Sequence, residues 1–251
     1  MKTTIKLNGI VKAAVITALL VICIGCQSFS GSDKVIKGNG KIETKSFPES
    51  DFNAVCIKGG WTADIRYSET FSIQIETDEN IFPYLDVSLT GTTLNIGFKS
   101  GYRYGISPTR RKVFITMPAL IKLQTVGSLT STISSFNMPK DSMSIDIAGS
   151  GNITARDITV NTLKVDVSGS ADFSATGKAE NMIADISGSG DIKTTGLETE
   201  KADISISGSG SAKVWVTGHL KADISGSGSI RYKGEPATEI KISGSGSISS
   251  L

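Results

Sequence analysis

Four stretches in the second half of the chain share one plan: Ala184-Asp185-Ile186-Ser187-Gly188-Ser189-Gly190, Ile204-Ser205-Ile206-Ser207-Gly208-Ser209-Gly210, Ala222-Asp223-Ile224-Ser225-Gly226-Ser227-Gly228 and Ile240-Lys241-Ile242-Ser243-Gly244-Ser245-Gly246. Close variants begin at Gly149 and at Gly169, where the motif is Gly-Ser-Ala, and a degenerate Gly127-Ser128-Leu129 precedes them. Successive first glycines stand 18 to 22 residues apart. Self-similarity at such a period marks a repeat architecture. The uneven step argues against a strict hexapeptide helix and for coils whose corner loops vary in length.

Aligning the repeats on the first glycine makes the apolar pattern explicit. Two places before it stand Thr125, Ile147, Val167, Ile186, Ile206, Ile224 and Ile242; four places before it stand Leu123, Ile145, Val165, Ala184, Ile204, Ala222 and Ile240. Four places after it come Ser131, Ile153, Phe173, Ile192, Ala212, Ile230 and Ile248. Alternate residues of a strand share a face, so one parity points inward on both sides of the motif. That register sends both glycines inward and the serine outward, and glycine lets the backbone turn sharply at low steric cost. A single coil cannot bury its apolar stripe, whereas coils stacked about 4.8 Å apart build a continuous core. The expected fold is therefore all-β: a parallel, right-handed β-helix or β-solenoid with Gly-Ser-Gly corners over 121–251. The competing reading is a meander of hairpins with Gly-Ser-Gly turns.

Composition agrees, with 27 glycines against 6 prolines among abundant Val, Ile, Thr and Ser. The formal charge of +2 includes Lys2, Lys6 and Lys12; without them 23 basic and 24 acidic residues remain. A near-balanced chain lacks the basic face that displaces counterions from phosphate, which excludes a nucleic-acid partner.

Those three lysines precede an apolar run, Ala13 to Ile24, too short for a comfortable membrane span, and this is the plan of a secretory signal. The run ends in Gly25-Cys26, which resembles the lipobox of bacterial lipoproteins, although Cys23 stands where that motif usually has Leu. The resemblance implies a signal over 1–25, a diacylated Cys26 as the membrane anchor and a flexible tether over 26–33. The expected location is the bacterial cell envelope, at the outer membrane on its periplasmic or surface face. An ordinary cleaved signal or a short uncleaved anchor is the alternative. Cys56 is then the one cysteine of the folded body, which excludes a disulfide framework, and its setting in Ala54-Val55-Cys56-Ile57 reads as a small core residue.

Residues 34–120 form a strand-rich region without a clean repeat, with alternating segments around Ala54 to Tyr67, Phe71 to Thr77, Asp86 to Phe98 and Lys112 to Met117. Phe52-Asn53-Ala54-Val55, Trp61-Thr62-Ala63-Asp64-Ile65, Ile75-Glu76-Thr77-Asp78-Glu79-Asn80, Gly91-Thr92-Thr93-Leu94-Asn95-Ile96 and Met117-Pro118-Ala119-Leu120, in that order and ahead of the glycine repeats, resemble the adhesin family called the head GIN domain. The resemblance runs from about Phe47 to the C-terminus. It implies a β-helix-like fold, export and an adhesive or binding role, with no catalytic residues.

Three surfaces carry candidate chemistry. An outward column three places before each glycine holds Asp146, Asp166 and Asp185 on consecutive coils, which solvent, serines and Lys164 screen or a weakly held Ca²⁺ bridges. The outward serines from Ser150 to Ser245 form a hydroxyl ladder suited to a glycan or to satisfying the turn backbone. Tyr102, Arg103 and Tyr104, followed by Arg110-Arg111-Lys112, place aromatic and cationic groups in one loop, a contact suited to sugar or an acidic polymer. His219 is the only histidine, and no zinc spacing or phosphate loop is present, so no cofactor is expected. The expected function is a non-catalytic, lipid-anchored binding protein with a glycan or envelope protein as partner. The alternatives are a polysaccharide-cleaving β-helix enzyme using paired carboxylates and a purely structural envelope component. The final motif has no capping element after it in this sequence, so self-association through the C-terminal coil is expected.

Overall fold

The computed structural model of the protein describes residues 35–100 and 105–251. The signal, the tether, Cys26 and the Tyr102-Arg103-Tyr104 cluster lie outside the described residues. The alignment on the first glycine is the observed register. Lys122–Ser134 pairs in parallel with the next coil through Leu123↔Ile145, Thr125↔Ile147, Gly127↔Gly149 and Ser131↔Ile153. The same columns continue through Ile186↔Ile206 and Gly188↔Gly208, Ile206↔Ile224 and Gly208↔Gly226, and Ile224↔Ile242 and Gly226↔Gly244. Parallel pairing from coil to coil makes a β-solenoid of about six turns and rules out the hairpin meander.

The core is the set of inward columns. Ile145, Val165, Ala184, Ile204 and Ala222 are buried before the glycines, and Ile153, Phe173, Ile192, Ala212 and Ile230 after them. Thr125 and Ser131 occupy the same columns in the Gly127 coil, where both hydroxyls are buried without a hydrogen-bond partner. Coil length varies away from the glycine motif: Ser135, Asp157 and Gly177 take positive φ there, and register shifts fall between Thr194 and Glu198 and between Thr199 and Lys201.

The two glycines of the motif do different work. The second faces the core, as expected, and also lies against the coil before it: a Cβ on Gly210 would come within 2.6 Å of the Gly190 carbonyl oxygen and 2.8 Å of the Ile186 Cγ2 methyl, and one on Gly228 within 2.7 Å of Ile206 Cγ2 and 2.9 Å of the Gly210 carbonyl oxygen. The expectation that the first glycine also faces inward is corrected. At φ between +129° and +134°, Gly169, Gly188, Gly208 and Gly226 aim their missing Cβ along the stacking axis, into the carbonyl oxygen of the preceding coil's first glycine. Strict alternation fails because a positive φ rotates that direction out of the pleat. In the later coils the same oxygen accepts the next coil's serine N–H, at 3.0 Å for Ser189 and Ser209 and 2.9 Å for Ser227 and Ser245.

The coil register reaches back across residue 120. Ala54–Lys58 and Trp61–Tyr67 pair in parallel with the two halves of Lys122–Ser134, and Gly59, at φ +97°, stacks against Gly127. Residues 68–121 are an excursion between the first two coils, and strands from it extend this end of the stack. On one wall Arg111–Met117 adds in parallel, followed by antiparallel Ser72–Asp78 and Ile42–Phe47. On the other, Thr93–Phe98 adds in parallel and Leu85–Thr90 antiparallel.

Asp78 fastens this end. Its buried carboxylate accepts hydrogen bonds from the Gly40 N–H at 2.8 Å and from the Thr109 N–H and hydroxyl, both at 2.7 Å. Burial pushes this carboxyl up, but the bonds from Thr109, Gly40 and the Arg110 N–H outweigh it and hold the group below the usual carboxylate range. Beside it, Asn80 bridges to the Lys37 carbonyl and the Asn39 N–H, and Thr77 donates to the Arg110 carbonyl.

Gly208→Ala is expected to lower stability by about 3 kcal/mol or more, measured by urea unfolding, because a strained φ and a forced separation of two coils act together. A loss under about 1 kcal/mol, the ordinary effect of a surface glycine, would contradict the axial contact. Asp78→Ala is expected to cost about 3 kcal/mol by leaving buried N–H groups unpaired. Because the folded carboxyl titrates below its unfolded value of about 3.9, its stabilisation is complete above that pH and fades on acidification. The variant should lose this part of the acid dependence; an unchanged acid limb would show that Asp78 is not ionised in the fold.

Candidate functional site

The outward positions on either side of each first glycine are serines: Ser168 and Ser170, Ser187 and Ser189, Ser207 and Ser209, Ser225 and Ser227, Ser243 and Ser245. All are exposed, and parallel register stacks them into two adjacent ladders with a rise of about 4.8 Å per coil. The backbone N–H groups at the bend go to the glycine carbonyls, so the serine side chains are not needed to satisfy the turn. None of these hydroxyls bonds to another described residue. Each keeps one donor and two acceptor sites for an outside partner.

Beside the ladders runs the charged face. The column of Asp146, Asp166 and Asp185 continues through Ser205, Asp223 and Lys241. Lysines in the column next to it neutralise most of these charges: Lys122 reaches Asp146 at 2.7 Å, Lys164 reaches Asp166 at 2.9 Å, and Lys221 lies 2.9 Å from Asp203 and 3.8 Å from Asp223. Hydrogen bonding and attraction from Asp166 raise the Lys164 ammonium above its ordinary range, as Asp203 does for Lys221. Asp185 has Ile183 where a lysine would stand. Burial, then the neighbouring Asp166 charge, pushes its carboxyl upward. Lysine pairing thus accounts for Asp146, Asp166 and Asp223. Among the described residues no three acidic or other metal-binding side chains converge to hold an ion. A shallow cleft of about 430 Å³ opens where the serine ladder meets the charged face, between Ser205, Ser207, Asp223, Ser225, Lys241 and Ser243.

Residues 51–236, most of the solenoid with its serine ladders, match the family described as "Putative auto-transporter adhesin, head GIN domain". The chain belongs to the head GIN family. Its fold is similar to that of a putative lipid binding protein from Parabacteroides distasonis, at 30% identity over 87% of this chain and 100% of that one, with a TM-score of 0.73. It is also similar to a putative adhesin from Bacteroides fragilis, at 23% identity over 86% of this chain and 100% of that one, with a TM-score of 0.80. A putative adhesin from Parabacteroides merdae aligns at 27% identity over 86% and 98% of the two chains, with a TM-score of 0.57. Curated proteins give no match.

Several residues singled out in the sequence take structural places in this head GIN chain. Cys56 is buried but sits on the outer face, in register with Gln124 and Asn95, while Val55 and Ile57 enter the core. His219 is exposed, next to Lys201 in register. The Thr77-Asp78-Glu79-Asn80 segment that helps carry the family resemblance is the clasp of the solenoid end. Sequence reasoning missed the second serine column, before the glycine, having treated the serines beside the aspartates only as screens for their charge. The recurring Ser-Gly-Ser tripeptide was the available signal.

Proposed function

We propose that this head GIN protein is an exported, lipid-anchored, non-catalytic binding protein of the bacterial cell envelope, and that it holds a hydroxyl-rich polymer, a glycan, along the paired serine ladders. The observation that carries the reading is a double row of exposed hydroxyls with no partner among the described residues, repeated once per coil. Such a row offers many weak, identical hydrogen bonds to an extended, repeating ligand, and bonds accumulated along one chain give usable affinity where one alone would not. The adhesin descriptions of the family and of the relatives from B. fragilis and P. merdae support a binding role. Anchoring would come from acyl chains on Cys26, several of which hold a protein at a membrane where a single chain does not.

A screen against arrayed glycans and bacterial polysaccharides is expected to give a bound polymer without turnover. Combined Ser207→Ala, Ser209→Ala, Ser225→Ala and Ser227→Ala should weaken that binding at least about tenfold, from net contributions of about 0.5–1.5 kcal/mol per hydrogen bond. Binding unaffected by the four substitutions would remove the ladders from the account. New reducing ends or unsaturated products, abolished by Asp166→Asn or Asp185→Asn, would establish an enzyme instead, and a co-purifying protein without glycan would establish a structural role. For the anchor, Cys26→Ser in the native host is expected to abolish labelled palmitate incorporation and release the protein from alkaline-washed membranes. Retention of the label would show that the acyl chain is elsewhere.

A further inference from the structure

The two ends of the solenoid are finished differently. At the N-terminal end the outer strand Ile42–Phe47 is antiparallel and carries the Glu43–Lys45 ion pair, with Pro48 directly after it, and charge and proline on an edge discourage further pairing. At the C-terminal end, among the described residues, Ala237–Gly244 pairs on one side only, with His219–Gly226, and all its residues are exposed. Ile240 and Ile242 continue the columns of Ala222 and Ile224; they are 46% and 43% exposed where those residues are 0% and 2%. One edge of the strand therefore offers unpaired backbone groups beside an uncovered apolar row.

We propose that this edge is the interface of a homodimer, in which Ala237–Gly244 pairs antiparallel with the same strand of a second copy, centred on Ile240. A two-fold axis normal to the wall keeps the inner faces of both copies on one side, so Ile240 meets Ile240 of the second copy while each Ile242 packs against the other copy's Thr238, which continues the inward Leu220 column. Charge fixes the register. Glu239 and Lys241 flank Ile240 on the outer face, and pairing about Ile240 sets each Glu239 opposite the other copy's Lys241, giving two complementary cross-strand pairs. Sliding the pairing by the smallest step that keeps the isoleucines inward sets Glu239 against Glu239 in one direction and Lys241 against Lys241 in the other. A shift of one residue turns the isoleucines outward. The occupant that answers both the apolar row and the charge order is thus a second copy of this edge.

Sedimentation velocity of the full chain in detergent, at micromolar concentration, tests the proposal. The unmodified protein should dimerise and stop there. Glu239→Lys and Lys241→Glu, each confirmed as folded by far-UV circular dichroism, should each weaken the dimer at least about tenfold, and the two together should restore it. Ile240→Cys should give a disulfide-linked dimer on mild oxidation. A monomer at every concentration, assembly growing beyond a dimer, or a dimer indifferent to the single charge reversals would overturn the proposal, as would failure of the double reversal to rescue.

Discussion

The fold depends on one recurring contact: the first glycine of each repeat stacks on the first glycine of the coil before it, so close that no Cβ fits between them. In the later coils the carbonyl that would meet that Cβ takes the next coil's serine N–H. Glycine is needed here for an axial reason, and a bend in the chain alone would not demand it at every coil. Once this point is fixed, the residues on either side have no choice of register, and every inward column is determined along with every outward one.

The same constraint that orders the core orders the surface. Because Ile204, Ile206 and Ile224 must face inward, Ser205, Ser207 and Ser225 must face outward, and each position repeats on the next coil. A solenoid in this way turns a short sequence motif into an extended array, and an array of unpaired hydroxyls suits a ligand that is itself a repeating chain. The aspartates Asp146, Asp166 and Asp223 remain tolerable because lysines from the adjacent column reach them; Asp185, which has Ile183 in the lysine's place, has its carboxyl pushed upward by burial and then by the Asp166 charge.

Much of this was legible in the sequence because the pattern is local. The inward columns, the outward aspartates and the parallel stack all follow from alternation about an aligned glycine. Three features were hidden for separate reasons. The direction of the first glycine was misread because alternation holds for extended residues and fails at positive φ. The first coil, Ala54–Tyr67, lacks the motif, having Gly59-Gly60 in its place, and a long excursion separates it from its neighbour, so periodicity could not find it. The roles of Asp78 and Cys56 depend on residues distant in the chain, on Gly40 and Thr109 in one case and on Asn95 and Gln124 in the other. Thr125 and Ser131 show the converse, polar residues held in apolar columns by register alone.

Residue-resolved hydrogen exchange of the bend amides tests the axial glycine contact most directly. The amides of Ser189, Ser209 and Ser227 lie in exposed residues at a bend, where a free N–H exchanges quickly. Donation to the glycine carbonyl of the preceding coil predicts that all three exchange slowly, with protection comparable to that of the neighbouring core strands. Exchange at the rate of an unbonded surface amide would contradict stacking through the glycines and the ordered surface that follows from it.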